Sequence, residues 1–428
     1  MDFTTALNPG TPPPPNFLLT DADDWEYFAE GASNCLFRYT GQHPYFRPFL
    51  LRLRKHLPGS PTTQQLYDHL NTRFAPILGA YLLHHSLIQL SPSLITALNT
   101  RLPNAHTPAE DWAGRPVKAR TRFLETEEKW GLLVEDMSCG NYLYAEEAAD
   151  PEEWRDMAAV EFKPKWLVQS PNAPKEWMVC RTCAVRNMNH GRSNDLPPPR
   201  EGGEKMEEEL PEYCPLDLAS HDRHRIEAAV YAIVNNPHNS IMIADPSPSD
   251  SSSESDSDSQ RRSPSASTPE ELAHHLAKAL ESSLVTLLTH FFTQSKIIPL
   301  LASLQDEFGR RGVFTSATLR LMEDTENVGN EEALAQMAIE SQGEVNDIWK
   351  AMTLRDCSLF LKIWVRKRTN RGMEARIEAK VADVDLKTGE GGRAVYWRDV
   401  ERRLRKGGWY GNINKGGRRN CRTGEGIP

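Results

Sequence analysis

The sequence is poor in the features that mark a secreted or membrane protein. Its 428 residues contain no apolar run near the roughly 20 residues that a membrane-spanning helix needs. Residues 1–15, rich in threonine and proline, lack the basic segment and apolar core of a secretory signal, and we expect residues 1–20 to be disordered. Seven scattered cysteines, an odd number, argue against a disulfide framework. We therefore expect reduced thiols, no membrane, and a location in the nucleus, the cytoplasm or both.

Charge of both signs is present, but it is unevenly distributed. The net charge is −9, yet acidic residues concentrate at 201–212 and 245–259, whereas basic residues concentrate at 366–376 and after 393. A ligand responds to the local field, so the acidic total does not exclude a phosphorylated ligand. Because single hydrophobic cores stop growing at about 250–300 residues, a chain of this length is expected to form two lobes.

The stretch at 160–166, VEFKPKW, predicts a short strand that carries two lysines. Alternate side chains of a strand share a face, so Glu161, Lys163 and Lys165 are predicted to point the same way. Pro164 has no backbone N–H, so the strand must lie at a sheet edge or end its ladder there. The pattern indicates either a phosphate-binding pair of lysines or a solvated, charged edge strand.

Residues 24–55 predict three strands and a turn of small residues. Apolar side chains alternate at 25–29 and 36–39 around the turn at 30–34, and a third strand at 49–53 carries Arg52. Kinase nucleotide lobes use such a turn and one cation to bind phosphates. The strand predicted at 131–137 would then correspond to the hinge that meets adenine. An ordinary hairpin with a surface arginine is the alternative.

A Cys-x-x-Cys pair begins the next group of polar residues. Together with two later side chains it forms a candidate zinc site, made of Cys180, Cys183, His190 and Cys214. The spacing is irregular and a second Cys-x-x-Cys pair is missing, so reduced thiols near a helix start are the alternative. Arg181 and Arg186 add cations beside the lysine stretch.

The remaining segments are predicted to be mostly helical. Helices are expected at 64–83, 92–102, 221–234, 272–291, 300–308 and 331–349, from their apolar spacing. Residues 245–267 consist mainly of Ser, Asp and Pro, and they have too little to bury to offset their ordering entropy. We expect this insert, and the Gly- and Arg-rich tail at 406–428, to be disordered.

Two aspartates lie at the ends of predicted strands. Asp356 precedes the apolar run at 359–365, and Asp383 follows a second strand. Phosphoryl transfer needs one carboxylate to orient or deprotonate the attacking hydroxyl and another to hold magnesium. Two aspartates on adjacent strands can supply both, although an aspartate at a strand end is often only part of a surface turn.

Five motifs, taken in order, resemble the inositol-pentakisphosphate 2-kinase family. They are EFKPK at 161–165, CRTC at 180–183, YCPLDL at 213–218, MT with RDCS at 352–358, and DVDLK at 383–387. The resemblance spans residues 24–397 and is broken by the serine-rich insert. It implies an α/β, two-lobed kinase-like fold, with an N-lobe at 21–140 and an enlarged, largely helical substrate-binding C-lobe at 141–405.

The resemblance also implies the activity and the site residues. The family transfers the γ-phosphoryl group of ATP to the 2-hydroxyl of inositol 1,3,4,5,6-pentakisphosphate, which gives inositol hexakisphosphate (phytate). Asp356 would orient or deprotonate the hydroxyl, Lys163 would stabilise the transferring phosphate, and Asp383 would hold Mg²⁺. The residues implied to contact ATP are Gly31, Asn34, Arg52, Asp136 and Glu161. The candidates for contact with the inositol phosphate are Lys165, Arg181, Arg186, Asn239, Lys387, Arg393 and Tyr396.

Two positions depart from the family pattern. Val185 stands where many relatives have a histidine, and Ser240 stands where they have a second asparagine, so part of the substrate contact set is altered. Two alternatives remain open: a non-catalytic scaffold or nucleic-acid-binding protein that uses the basic C-terminal segment, and a kinase for another inositol polyphosphate. For the kinase we expect a monomer that uses ATP and Mg²⁺ and requires no nucleic acid.

Overall fold

The computed structural model shows a mixed α/β protein of two compact units. The described residues are 17–102, 122–138, 154–193, 213–236, 239–243, 283–315, 343, 346–368, 372–385, 393–411 and 420–424. Unit 1 comprises Met1–Ser138, Ser358–Lys362 and Glu378–Thr388, and unit 2 comprises Cys139–Cys357, Ile363–Ile377 and Gly389–Pro428. The serine-rich insert at 245–267 and Lys387 lie outside the described residues.

Unit 1 contains a six-stranded sheet with the strand order β1-β5-β6-β4-β3-β2. Its strands are β1 (Leu18–Leu19), β2 (Trp25–Glu30), β3 (Asn34–Tyr39), β4 (Phe49–Arg54), β5 (His85–Leu90) and β6 (Trp130–Glu135). The first pairs in parallel with β5, whereas the other pairings are antiparallel. The four strands predicted in this part of the sequence, β2, β3, β4 and β6, are confirmed.

The core of unit 1 explains why one sequence-based prediction failed. Trp25 lies edge-on to Tyr39 at 5.0 Å and to Phe46 at 6.0 Å between ring centroids. Leu19 belongs to the same buried cluster and is 4% exposed. The prediction that residues 1–20 are disordered is therefore wrong for β1 (Leu18–Leu19), because burial of Leu19 stabilises this strand.

Short helices follow β4 and β5. They are α1 (Thr63–His69), a π-helix (Leu70–Phe74), α2 (Ala75–Leu78), a 3-10 turn (Gly79–Tyr81) and α3 (Pro92–Arg101). A capping box of Thr62 and Gln65 starts α1, and Ser91 caps α3. The single helix predicted at 64–83 is interrupted, and Gly79 after α2 has φ 53°, which an L side chain rarely adopts.

Two segments from late in the sequence belong to unit 1. The N–H of Leu83 donates to the carbonyl of Val381 at 3.0 Å. Lys380 Nζ lies 3.5 Å from a carboxylate oxygen of Glu135. These contacts place the residues around Asp383 in the unit that contains the small-residue turn, although the sequence assigned them to the second lobe.

The second sheet has four strands in the order β10-β9-β7-β8. They are β7 (Arg155–Phe162), β8 (Ser240–Ile243), β9 (Ser358–Arg368) and β10 (Gly372–Ala382). The helices among the described residues of unit 2 are α4 (Arg181–Ser193), α5 (Pro215–Leu218), α6 (Arg223–Val234), α7 (Ser283–Gln294), α8 (Ile297–Gly309), α9 (346–354) and α10 (Arg393–Lys406). At the end of β7, Phe162 packs edge-on against Tyr213 and Phe292, with centroids 6.2 and 6.1 Å away.

Within the described ranges no single helix is long and apolar enough to cross a membrane; α7 and α8 pass that test only as a pair bent by 55°.

The tail at 406–428 was expected to be disordered. This expectation is wrong for the described part of the tail, since Tyr410 is 1% and Cys421 3% exposed. Both side chains pack in a cluster with Val179, Cys180 and Leu404.

Candidate functional site

The two lysines follow β7 instead of lying within it, since the strand ends at Phe162. Pro164 removes a ladder donor, and Lys165 has φ 59°, so the backbone cannot continue as a strand. The prediction that Glu161, Lys163 and Lys165 share one strand face is therefore wrong. The edge-strand alternative is also wrong, because β9 and β8 flank β7.

Both lysine side chains converge on Asp356, which lies in the turn before β9. Lys163 Nζ donates to the backbone carbonyl of Asp356 at 2.7 Å and lies 3.8 Å from Oδ1. Lys165 Nζ donates to the same Oδ1 at 3.3 Å. The three side chains of Lys163, Lys165 and Asp356 are 35%, 41% and 51% exposed, respectively. We call them the lysine–aspartate group, which presents two cations and one carboxylate to solvent.

Positive φ angles coincide with predicted site residues. Among the described non-glycine residues, only Lys165 (φ 59°) and Asp383 (φ 58°) have them. Such a conformation costs on the order of 1–3 kcal/mol and persists where the surroundings hold it, often at functional sites. The sequence motifs had singled out both residues for their side chains, not for their backbone.

The small-residue turn of unit 1 is held by a buried ion pair. Lys55, which follows β4, pairs with Glu30, and both side chains are 1% exposed. Lys55 Nζ also donates to the carbonyl of Gly31 at 2.7 Å, and the backbone N–H of Lys55 donates to the carbonyl of Ser33 at 2.8 Å. Gly31 N–H donates across the turn to the carbonyl of Asn34 at 3.0 Å. No sequence motif had pointed to this pair.

Replacement of Lys55 by methionine should destabilise unit 1. Glu30 would lose its ion pair inside the protein, and loss of one partner of such a pair costs about 3–5 kcal/mol. Urea denaturation measures the change. Arg122→Met is the control, since this exposed arginine donates to Ala32 of the same turn and should cost less than about 0.5 kcal/mol. Equal stability of Lys55→Met and wild type would contradict the importance of the pair.

Arg52 faces a carboxylate that had no role assigned from the sequence. Its guanidinium donates two hydrogen bonds to Asp385, one of them from Nη1 to Oδ1 at 3.0 Å. Burial alone would lower the pKa of Arg52, but Asp385 and Asp383 raise it. Arg52 therefore stays positively charged next to Asp383, the residue predicted to hold magnesium.

Asp136, predicted near adenosine, is buried at the end of β6. Its Oδ1 accepts from the N–H of Ser138 at 2.9 Å, and its Oδ2 lies 3.5 Å from Arg38 Nε. Its own N–H donates to the carbonyl of Pro48 at 2.9 Å. These contacts hold the polar bend after the buried strand, as the sequence predicted.

Three residues predicted to bind the inositol phosphate make contacts within unit 2. Arg181 Nε pairs with Glu401 Oε2 at 3.1 Å, and Glu401 is 0% exposed. Arg186 donates to the carbonyl of Tyr213 at 2.6 Å. Asn239 Nδ2 donates to the carbonyl of Ile233 at 2.9 Å, as a turn-forming residue would. Tyr396 is 60% exposed. The side chain of Arg393 lies outside the described residues.

Four sulfurs come together where the sequence predicted a zinc site. The Sγ atoms of Cys180, Cys183, Cys214 and Cys421 all lie within 4.8 Å of one another. Cys180 and Cys214 are 3.9 Å apart, close to the spacing of about 3.8 Å expected for two thiolates on a tetrahedral zinc. We call these residues the thiol cluster.

Cys421 joins three of the predicted ligands, Cys180, Cys183 and Cys214. His190 was also predicted as a ligand, but its side chain lies outside the described residues, so that part of the set stays a prediction. Hydrogen bonds from Cys180 and the other thiols lower the pKa of Cys421. Cys421 was missed because it is far along the chain in a tail expected to be disordered. The backbone N–H of Cys421 donates to the carbonyl of Met178 at 2.8 Å, so the C-terminal segment is hydrogen-bonded to the segment before α4.

Comparison with known proteins decides the family. The family model described as inositol-pentakisphosphate 2-kinase matches residues 27–403. The chain belongs to the inositol-pentakisphosphate 2-kinase family. It is therefore a phosphotransferase, as the motifs had predicted.

Two curated members of this 2-kinase family illustrate the distance between relatives. The inositol-pentakisphosphate 2-kinase of Yarrowia lipolytica is 24% identical over 369 residues, which cover 84% of this chain and 85% of that protein. That of Debaryomyces hansenii is 24% identical over 242 residues, covering 47% of this chain and 53% of that protein. The chain thus spans most of the first relative and about half of the second.

Proposed function

We propose that this chain transfers the γ-phosphoryl group of ATP to the 2-hydroxyl of inositol 1,3,4,5,6-pentakisphosphate, giving inositol hexakisphosphate and ADP. The observation that carries the proposal is the lysine–aspartate group, in which Lys163 and Lys165 approach one half-exposed carboxylate. Binding of an inositol polyphosphate requires cations, and activation of its hydroxyl group requires a carboxylate. The lysine–aspartate group supplies both. The names of the two relatives support the same substrate.

The chemistry assigns different roles to the three side chains. Asp356 orients the 2-hydroxyl and accepts its proton as the oxygen attacks the γ-phosphorus and the bond to the β-phosphate oxygen breaks. Lys163 stabilises the charge on the transferring group, and Lys165 binds a phosphate of the inositol ring. Catalysis of this kind depends mainly on positioning and electrostatics. The ring phosphates would be bound further by Arg181, Arg186, Asn239, Lys387, Arg393 and Tyr396.

Unit 1 is proposed to be the nucleotide-binding lobe of a kinase-like fold, and unit 2 its helical, substrate-binding lobe. Gly31, Asn34, Arg52 and Asp136, all in unit 1, would contact ATP. Glu161 is also proposed to contact ATP. Because Arg52 already pairs with Asp385, ATP phosphates would compete with that carboxylate for the guanidinium.

The residues around Asp383 fit a magnesium ion. Mg²⁺ is commonly bound by one or two carboxylates together with substrate phosphates and water. Asp383 offers a carboxylate, and Asp385 lies two residues beyond it. When bound, the metal would neutralise charge on the ATP phosphates.

The thiol cluster is proposed to hold a structural Zn²⁺. Four cysteine sulfurs without an open position are typical of structural zinc, not of catalytic zinc. The cluster joins α4, the start of α5 and the C-terminal segment. Its role would thus be to stabilise unit 2.

A substrate panel tests the proposed function. The protein is incubated with ATP, Mg²⁺ and each isomer of inositol pentakisphosphate and tetrakisphosphate, and products are separated by anion exchange. We expect hexakisphosphate from the 1,3,4,5,6 isomer. If another isomer is turned over faster, that isomer replaces the 1,3,4,5,6 isomer as the proposed substrate. No transfer to any inositol phosphate, together with steeply salt-dependent RNA binding, would favour the nucleic-acid-binding alternative.

Replacement of Lys163 by methionine should lower kcat on the order of a hundredfold, as expected for loss of one preorganised donor. The folded state should change little, since the side chain is 35% exposed. Steady-state kinetics and thermal melting measure the two effects. Lys175→Met, at an exposed lysine of unit 2, serves as the charge-matched control. Equal kcat for both variants would refute the role of Lys163.

A further inference from the structure

A single glutamine binds both backbone segments of the lysine–aspartate group. Gln305 on α8 is 0% exposed. Its Oε1 accepts from the N–H of Leu167 at 2.9 Å. Its Nε2 donates to the carbonyl of Lys165 at 2.9 Å and to the carbonyl of Leu354 at 3.0 Å. One side chain therefore joins the segment after β7 to the end of α9, two residues before Asp356.

The chemistry of the three partners fixes the orientation of this amide. The N–H of Leu167 can only donate, whereas the carbonyls of Lys165 and Leu354 can only accept. One acceptor and two donors are thus required at the end of a side chain of this length. Glutamine supplies them, while a glutamate of the same shape has no N–H to offer the two carbonyls.

The backbone at Lys165 is in the conformation that most needs such support. With φ 59° it lies in the left-handed region, which persists only where neighbouring contacts hold it. On one side, Tyr213 Oη donates to the carbonyl of Pro164 at 2.9 Å. On the other, the guanidinium groups of Arg181 and Arg355 lie 4.1 and 3.7 Å from the centroid of the Trp166 ring. Gln305 binds the residue between these two anchors.

Arg355 strengthens the link from α8 to the turn of Asp356. Its Nη2 donates to the backbone carbonyl of Gln305 at 3.3 Å. The residue itself is 4% exposed. Burial, together with repulsion from Arg181, lowers the pKa of Arg355 to about 9, so it is a cation at neutral pH. The residue next to Asp356 is therefore anchored to the same point of α8.

We propose that Gln305 is a positioning residue for phosphoryl transfer. By holding the carbonyls of Lys165 and Leu354 on one amide, it sets the distance of 3.3 Å at which the Lys165 ammonium meets the Asp356 carboxylate. It touches neither substrate and acts only through these two segments. This inference rests on the proposed function of the lysine–aspartate group.

The test uses the full-length chain with Gln305→Met, which keeps the side-chain length and removes all three hydrogen bonds. Misplacement of catalytic groups by about 1 Å costs on the order of a hundredfold, so kcat should fall about tenfold to a hundredfold. The KM for ATP should change less than about threefold. Gln305→Glu should be impaired as well, since it retains the acceptor but lacks both donors.

A control on the same helix separates positioning from packing. Leu301 lies one turn earlier and is also 0% exposed, so Leu301→Val should lower the melting temperature while kcat stays within about twofold of wild type. In a Lys165→Met background, Gln305→Met should cost less than it does in the wild-type chain, because coupled residues are not additive. Losses of kcat that follow melting temperature in both helix variants would overturn the inference.

Two further outcomes distinguish this inference from the proposed function. An active wild type and an equally active Gln305→Met variant would overturn the positioning role and leave the kinase assignment intact. A wild type without transferase activity would overturn the proposed function. In that case calorimetry with inositol pentakisphosphate tests whether Gln305 positions Lys165. Gln305→Met should weaken binding about tenfold relative to wild type if the amide holds Lys165. Unchanged or undetectable binding would refute this positioning of Lys165.

Discussion

Asp356→Asn should reduce kcat for phosphoryl transfer by about 10²–10⁴-fold, the range that a positioned general base contributes. Asparagine has the same shape but cannot accept the hydroxyl proton, and it cannot attract the two lysine ammonium groups as a carboxylate does. The KM for ATP should change little. The fold should be retained, because the side chain is 51% exposed and ion pairs at this exposure contribute little to stability.

A second aspartate in unit 2 provides a close control. Asp347 is 50% exposed and pairs with Lys350 at 3.9 Å, so Asp347→Asn removes a comparable charge and ion pair away from the lysine–aspartate group. Its kcat should stay within about twofold of wild type. Anion-exchange assays of both variants, at matched purity and melting temperature, give the comparison. Full activity of Asp356→Asn would exclude this residue as the base.

Removal of the proposed zinc from the thiol cluster should destabilise the protein more than loss of the buried Lys55–Glu30 ion pair does. Structural zinc contributes an apparent binding free energy of about 10–16 kcal/mol in small zinc domains at neutral pH. Even a partial loss of this free energy should lower the melting temperature by about 10 °C or more. Elemental analysis should find one zinc per chain, and a chelator should lower the melting temperature in the absence of nucleotide.

Cys421→Ser tests the ligand that the sequence motifs did not reveal. This variant should lose the zinc and melt at lower temperature, whereas Cys35→Ser, at a buried cysteine of unit 1, should retain the metal. His190→Ala should also retain it if Cys421 is the fourth ligand. Zinc retained by Cys421→Ser but lost from His190→Ala would restore the ligand set first predicted.

The thiol cluster also connects to the lysine segment through one residue. Tyr213, adjacent to Cys214, is 7% exposed and donates from its hydroxyl to the carbonyl of Pro164 at 2.9 Å. Arg186 donates to the carbonyl of the same tyrosine. Loss of the proposed zinc should therefore disturb the position of Lys163 and Lys165 as well as the stability of unit 2.

Local patterns identified most of the strands and the order of the chemical motifs. Period-two alternation placed β2 and β3, because neighbouring strand residues face opposite sides. Pro164 correctly marked the end of the β7 ladder, since proline has no donor. The same stretch misled on side-chain direction, because a left-handed residue such as Lys165 breaks the alternation and nothing in its identity signals that conformation.

Contacts between distant parts of the chain were beyond local reasoning. The pairing of Arg52 with Asp385 joins residues 333 positions apart. Gln305 lies 140 positions from Lys165 and reads in the sequence as one polar residue on an apolar helix. Such partners are chosen by packing, which a pattern over a few residues does not contain.

The sequence by itself determined the family and its phosphotransferase activity, and it supplied the candidate catalytic residues, because motifs with lysines and aspartates in a set order are local properties of the chain. The tertiary structure alone decided that both lysines meet Asp356, that Cys421 completes the thiol cluster, and that a buried glutamine joins the two segments. Distances between side chains depend on how the backbone returns upon itself, and this return is set by burial and hydrogen bonding across the whole fold.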